Sequence, residues 1–126
     1  MRIIGGNYRG KKIYLPLDKM TRPLRDMVKE SIFNLIEHSN KFKIEIKDSK
    51  ILDLFAGSGS FGLECISRGA RKVVFLENYS KILNILKKNI NLINANNNCD
   101  VIEKNCFDFF LKKNLFQNKF DLIFLD

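Results

Sequence analysis

From Lys50 onward, short apolar runs alternate with stretches whose apolar residues recur at helical spacing. "KILDLF", "KVVFLE", "DVIE" and "FDLIFLD" read as strands, the last of them apolar from Leu122 to Leu125 in the manner of a strand buried on both faces. Helices are predicted between them, from about Ser60 to Arg68, from Ser80 to about Ile93, and near Phe107. The order β-α-β-α-β-α-β predicts an α/β fold with a parallel, doubly wound sheet and right-handed crossovers. "NANNN" is a solvated loop within it.

The first 49 residues are patterned differently. "RIIGGNYRGKKIYLP" predicts two short strands, around Ile3-Ile4 and Lys12 to Leu15, joined by a glycine-containing turn into a hairpin that Pro16 ends. Pro23 can open a helix with an apolar stripe of Leu24, Met27, Val28, Ile32, Leu35 and Ile36, leaving Lys29, Glu30 and Glu37 to face elsewhere. "HSNKFKIEIKDS" is a polar connector with at most a short edge strand. The expected division is a basic hairpin plus helix over 1–49, packed as an extension on an α/β domain over 50–126.

Length permits one small domain. No stretch approaches the roughly 20 apolar residues of a membrane span, and "MRIIGGNYRGKK" lacks the apolar run of a signal peptide. A cytoplasmic protein without membrane contact is expected. Cys65, Cys99 and Cys106 show no C-x-x-C spacing and His38 is the single histidine, so neither a disulfide framework nor a metal site is indicated. Charge changes the picture more. Of the net +8, residues 1–29 carry eight Lys and Arg against Asp18 and Asp26, or 8 − 2 = +6. Clustered cations with Tyr8 and Tyr14 among them suit a nucleic-acid backbone, which makes Arg9, Lys11, Lys12 and Arg22 candidate RNA contacts. Ordinary surface solubility is the competing explanation.

"ILDLFAGSGSFGLE" sets Gly57, Gly59 and Gly62 in G-x-G-x-x-G spacing directly after a strand and at the start of a helix. In that context the first glycine permits a sharp turn, the second lets a ligand approach the backbone, and the third lets helix and strand pack closely. Glu77 follows about 20 residues on, where a carboxylate takes the hydroxyls of a ribose. Dinucleotides and S-adenosyl-L-methionine both use such a loop and acid. Asp53 inside the strand would repel a pyrophosphate and attract the amino group of a methionine moiety, and the acid ending "FDLIFLD" lies across the same crevice; both favour the sulfonium cofactor.

"RIIGGNYRGKKI", "TRPLRDMVKESIFNLI", "ILDLFAGSGSFGLECISRGA" and "FDLIFLD", in this order, resemble the bacterial 16S rRNA guanine-N2 methyltransferases of the RsmD family across essentially the whole chain. The resemblance implies a Rossmann-like methyltransferase fold and S-adenosyl-L-methionine as cofactor, with 16S rRNA or the small-subunit particle as partner. It assigns Asp53, Ala56, Gly57 and Gly59 to the cofactor loop, Glu77 to the ribose, and Asn78, Asn105 and Cys106 to the adenine edge. Asn105-Cys106 stands where such enzymes usually carry an acid and a small residue. Asp108 is read as a helix-start acid. Arg22, Asp26, Glu30 and Asn34 match the polar side of a helix bordering the pocket, with Leu24 where Thr is common.

By the same resemblance, Asp126 matches the first residue of a catalytic Asp-Pro-Pro-aromatic motif. Its carboxylate would orient a guanine amine, and further strands are expected after it. The 126 residues alone are accordingly expected not to catalyse. Three other readings compete: an amino-methyltransferase acting on adenine or another nucleic acid, a binding module without turnover, and a nicotinamide-dependent oxidoreductase, the last disfavoured by Asp53.

Overall fold

The computed structural model describes residues 1–17, 24–41, 43–105, 108 and 120–125. Four parallel strands, β1 (Lys50–Leu54), β2 (Lys72–Leu76), β3 (Cys99–Ile102) and β4 (Leu122–Leu125), form one sheet in the order β3-β2-β1-β4. The chain adds strands outward from β1 to β3 and then returns to the far side of β1. A topological switch point therefore lies between β1 and β4, the place where open α/β sheets form their ligand crevice. Helices α1 (Asp26–His38), α2 (Ser60–Ser67) and α3 (Ser80–Leu92) complete the described elements, with a 3-10 turn at Asn96–Asn98. The helix expected near Phe107 falls outside the described residues except at Asp108, which is helical.

Because side chains alternate across a strand, the sheet buries two faces. Ile51, Val73 and Phe75 share one cluster with Leu63 of α2, Leu86 and Ile90 of α3, and with Ile3, Ile13, Phe33 and Ile36 from the first 49 residues. Leu52, Leu54, Val74 and Leu76 form the opposite face with Ile102 and Phe120. Phe61 stacks between Phe33 and Phe124 at centroid distances of 5.0 and 3.7 Å, tying α1, α2 and β4 together.

Two expectations for the N-terminal part need correction. The buried face of α1 is Lys29, Phe33 and Ile36, whereas Met27, Val28 and Leu35 of the expected stripe are exposed at 79, 46 and 57%. The hairpin forms only as an isolated antiparallel bridge, Arg2 with Lys12, flanked by Ile3 N–H to Lys11 O at 2.9 Å and Ile13 N–H to Met1 O at 3.0 Å. The connector, expected to hold at most a short edge strand, forms none among its described residues.

One buried acid explains both corrections. Glu64, in the middle of α2, is 0% exposed and takes four donors: the backbone N–H groups of Ile4 and Gly5, both at 2.8 Å, Arg68 Nε at 2.9 Å, and Lys29 Nζ at 3.3 Å. Lys29, equally buried, also donates to Arg2 O at 2.7 Å. The segment after Ile3 thus bonds to α2 instead of to a partner strand. Asn7 N–H continues the docking to Ser67 O at 2.8 Å and Tyr8 N–H to Ser67 Oγ at 2.9 Å. At Gly6, with φ +79°, a Cβ would sit 1.9 Å from Ser67 O.

Glu64→Ala leaves Lys29 as a buried ammonium without its anion and frees two backbone donors. We expect a loss of roughly 3–5 kcal/mol in urea unfolding followed by circular dichroism. A loss below about 1 kcal/mol, the scale of an exposed pair, would remove Glu64 from this central position.

Candidate functional site

Beyond β1 the chain must turn sharply into α2, and its sequence supplies small residues for the turn. Phe55 has φ +55°, Gly57 +58° and Gly59 +90°. Phe55 is half exposed, an uncommon combination of a bulky side chain with left-handed backbone at the carboxyl end of a central strand. Ala56 N–H reaches Leu76 O at 3.0 Å and Gly59 N–H reaches Ala56 O at 2.9 Å, anchoring the loop to β2 and to itself.

The glycines meet different demands. At Gly62 a Cβ would lie 2.2 Å from the Phe75 ring, so the third glycine does permit close helix–strand packing. Gly59 is explained by protein packing as well as by its positive φ: its Cβ would meet Leu86 Cδ1 of α3 at 2.5 Å. Beneath the loop, Asp53 is 2% exposed and its Oδ2 accepts the Gly62 N–H at 3.1 Å, bracing the first turn of α2.

Glu77 directly follows β2 and is half-buried at the same carboxyl edge. Burial raises its pKa above the ordinary carboxylate value of 4.5, and bonds from the backbone N–H groups of Asn78 and Gly57 oppose that shift. The contact with Gly57 places the acid against the first glycine of the loop. Asn78 is exposed beside it. Asn105 is exposed too, and its Oδ1 accepts the Asp108 N–H at 2.7 Å, the geometry of a helix cap. Cys106, Arg22 and Asp126 lie outside the described residues. The other two thiols are buried; Cys65 is shifted upward by burial, and burial pushes Cys99 up to about 12. Among the described residues, no cluster of His, Cys, Asp and Glu could hold a metal ion and no helix is long and apolar enough to cross a membrane.

On the basic segment, Arg9 and Lys12 are exposed, whereas Lys11 Nζ donates to Leu92 O at the end of α3, 3.3 Å away. Arg2 pairs with Asp26 at 3.4 Å, and a cleft of about 210 Å³ opens between these two, Arg9 and Glu30.

Sequence reasoning missed the side chains that hold the loop from outside. Asn89 of α3, 1% exposed, donates from Nδ2 to Ser58 O at 2.8 Å, and Lys29 Nζ donates to Ser60 Oγ at 3.2 Å. For Glu64 a signal existed: "FGLECI" is otherwise apolar all round, so its acid had to be buried with a cation. Asn89 gave none, since "KKNINL" reads as an ordinary polar face.

The comparisons with known proteins agree with this architecture. A protein-family model described as Conserved hypothetical protein 95 matches residues 1–126. The "Ribosomal RNA small subunit methyltransferase D" of Haemophilus influenzae is 41% identical over all of this chain, and that of Escherichia coli K12 is 35% identical over all of it. The chain spans 62 and 59% of the length of those two relatives. A solved structure from Escherichia coli superposes with a TM-score of 0.76 at 34% identity, over 90% of this chain and 57% of that one. With a doubly wound sheet, a glycine loop at its switch point and these relatives, the fold is that of the Rossmann-like methyltransferases, and the chain belongs to the Conserved hypothetical protein 95 family, which includes the ribosomal RNA small subunit methyltransferases D.

Proposed function

We propose that residues 50–126 form the cofactor-binding part, and residues 1–49 the RNA-gripping part, of a cytoplasmic enzyme that uses S-adenosyl-L-methionine to methylate a guanine exocyclic amine of 16S rRNA in the small ribosomal subunit. The observation that carries this reading is the meeting of Glu77, just after β2, with Gly57 of the loop that follows β1, in a chain 35–41% identical to small-subunit rRNA methyltransferases.

The residues present fit the cofactor. Glu77 is a half-desolvated carboxylate held by backbone donors, a strong acceptor for two ribose hydroxyls. Asp53 gives the loop a negative floor suited to an ammonium group and hostile to a pyrophosphate. Ala56, Gly57 and Gly59 keep the loop backbone bare of large side chains. Asn78, Asn105 and Cys106 are assigned to the adenine edge, Asn105 exchanging its cap bond for the ligand. Bound there, S-adenosyl-L-methionine supplies an electrophilic methyl group. Asp126 is assigned to the guanine amine: a carboxylate accepting its N–H bonds leaves more of the nitrogen lone pair available and aims it. Arg9, Lys11, Lys12 and Arg22 are assigned to RNA phosphates.

Titration with S-adenosyl-L-methionine is the direct test, and NAD is its control. Glu77→Ala should weaken the sulfonium cofactor by about 1.5 to 3 kcal/mol, roughly ten- to hundredfold. Unchanged affinity would remove Glu77 from the ribose.

The raised pKa of Glu77 adds a pH signature. Free of ligand, the native state holds this proton more tightly than the unfolded chain, so Glu77 itself lowers stability as pH rises through the window above 4.5. Cofactor affinity should run the other way, falling as acidification protonates the acceptor. Glu77→Gln should flatten that profile; a profile equally steep in the variant would assign the titration to another group.

Replacing Arg9, Lys11 and Lys12 together by Ala should reduce the slope of log affinity against log salt by about 2 to 3 on a 16S rRNA transcript. An unaltered slope would leave the basic segment as a solvated face.

A further inference from the structure

The glycine loop is held by more than its backbone bonds to Leu76 and within itself. "AGSGS" offers small side chains and two positive-φ glycines, so little in its own side chains fixes its conformation. Two side chains from other helices brace it, one on each side of Gly59. Asn89 Nδ2 holds the carbonyl of Ser58 and Lys29 Nζ holds the hydroxyl of Ser60.

Both holders have a second grip, and in both cases it is on the N-terminal segment. Asn89 pairs with both backbone groups of Tyr14, accepting its N–H on Oδ1 at 2.8 Å and donating from Nδ2 to its carbonyl at 3.0 Å, as a strand partner would. Lys29 Nζ takes the carbonyl of Arg2 at 2.7 Å. Arg2 and Tyr14 flank the stretch that contains Arg9, Lys11 and Lys12. Each holder is essentially without solvent contact, 1% for Asn89 and 0% for Lys29, so water cannot replace a lost partner.

We propose that Lys29 and Asn89 are positioning residues that make the shape of the cofactor loop depend on the seating of the basic N-terminal segment, so that RNA held on that segment tightens cofactor binding at the loop. The inference rests on the function proposed above and adds to it a coupling between its two ligands. Phosphates bound by exposed Arg9 and Lys12 restrain the segment between Arg2 and Tyr14. The shared heads of Lys29 and Asn89 then stay on Ser60 and Ser58, and the cofactor meets a loop already ordered. Linkage requires the reverse effect to be of equal size: the cofactor must tighten RNA by the same factor.

The test is calorimetric titration of S-adenosyl-L-methionine into this chain with and without a saturating unmodified 16S rRNA transcript. RNA should tighten the cofactor by about fivefold or more in the wild type, the lower end of measured couplings. In Asn89→Ala and Lys29→Met the factor should fall below about twofold, while Lys29→Arg, which keeps a buried donor and charge, should restore most of it. A variant that only lost stability would still show the wild-type factor once folded and liganded. Asn89→Ala is the safeguard should Lys29→Met, which strands Glu64, fail to fold. Two folded variants keeping the wild-type factor, or a wild type whose two ligands bind with no mutual effect, would overturn the coupling and leave the proposed function standing. Absence of cofactor binding to the wild type, with or without RNA, would overturn both.

Discussion

A carboxylate shut away from water governs half of the molecule. All eight residues of α2 are buried, so Glu64 at its middle has no route to solvent and must find its donors within the protein. An unpaired charge at such a site is far costlier than the net gain of any ordinary contact, and the donors must therefore be brought to it. Lys29 arrives from α1, Arg68 from the C-cap position of α2, and two peptide N–H groups from Ile4 and Gly5. Arg68 in turn lies over the Phe33 ring and reaches Glu37 at 3.1 Å, which fixes the outer end of α1. The position of the N-terminal segment is thus a consequence of satisfying one acid.

Close approach follows from the same demand. For peptide donors to reach a helix interior, the backbone must lie flat on that helix. Glycine makes this possible: a Cβ at Gly5 would meet the Arg68 guanidinium at 2.8 Å, and one at Gly6 would enter the Ser67 carbonyl. The first segment therefore keeps only a short bridge and its turn bonds of its own and takes further hydrogen bonds from α2 and α3. Lys29 is held in the same way, with burial lowering its pKa and Glu64 opposing the shift. The contacts that seat the segment end at Ser60, the first residue after the loop glycine. At Lys29, docking of the segment and support of the loop meet in one side chain.

This also separates what could be read in the sequence from what could not. Short apolar runs and period-3.6 patterning located the four strands and the helices α2 and α3 to within a residue or two, but the expectation that β4 is buried on both faces needs correction: Leu122 and Phe124 are partly buried against the core, while Ile123 and Leu125 are exposed at 49 and 68%. The glycine loop was legible because its spacing is local. Helix α1 was legible only in part: Leu24, Ile32 and Ile36 of the expected stripe do pack on the core, but Met27, Val28 and Leu35 face solvent and Lys29 is buried, an assignment that only a partner 35 positions away reverses. Asn89 was illegible for a similar reason, since its three bonds go to Tyr14 and Ser58, remote in sequence. Periodicity reports hydrophobic burial, and it is silent on polar groups buried because distant groups satisfy them.

Counted along the chain, residues 1–29 carry +6, but several of these charges serve the fold. Lys29 is neutralised by Glu64, Arg2 faces Asp26, and Lys11 sits at the carbonyl end of α3, where a cation is favoured by the helix dipole. Arg9 and Lys12 have no such helix-end partner, and like Lys11 both are exposed and pair with no acid among the described residues. Like charges left unpaired on one short segment repel each other and do nothing for stability, whereas a polyanion rewards them by releasing its counterions. Under the proposed function, Arg9 and Lys12, together with the equally exposed Lys11, are the cations offered to an RNA backbone.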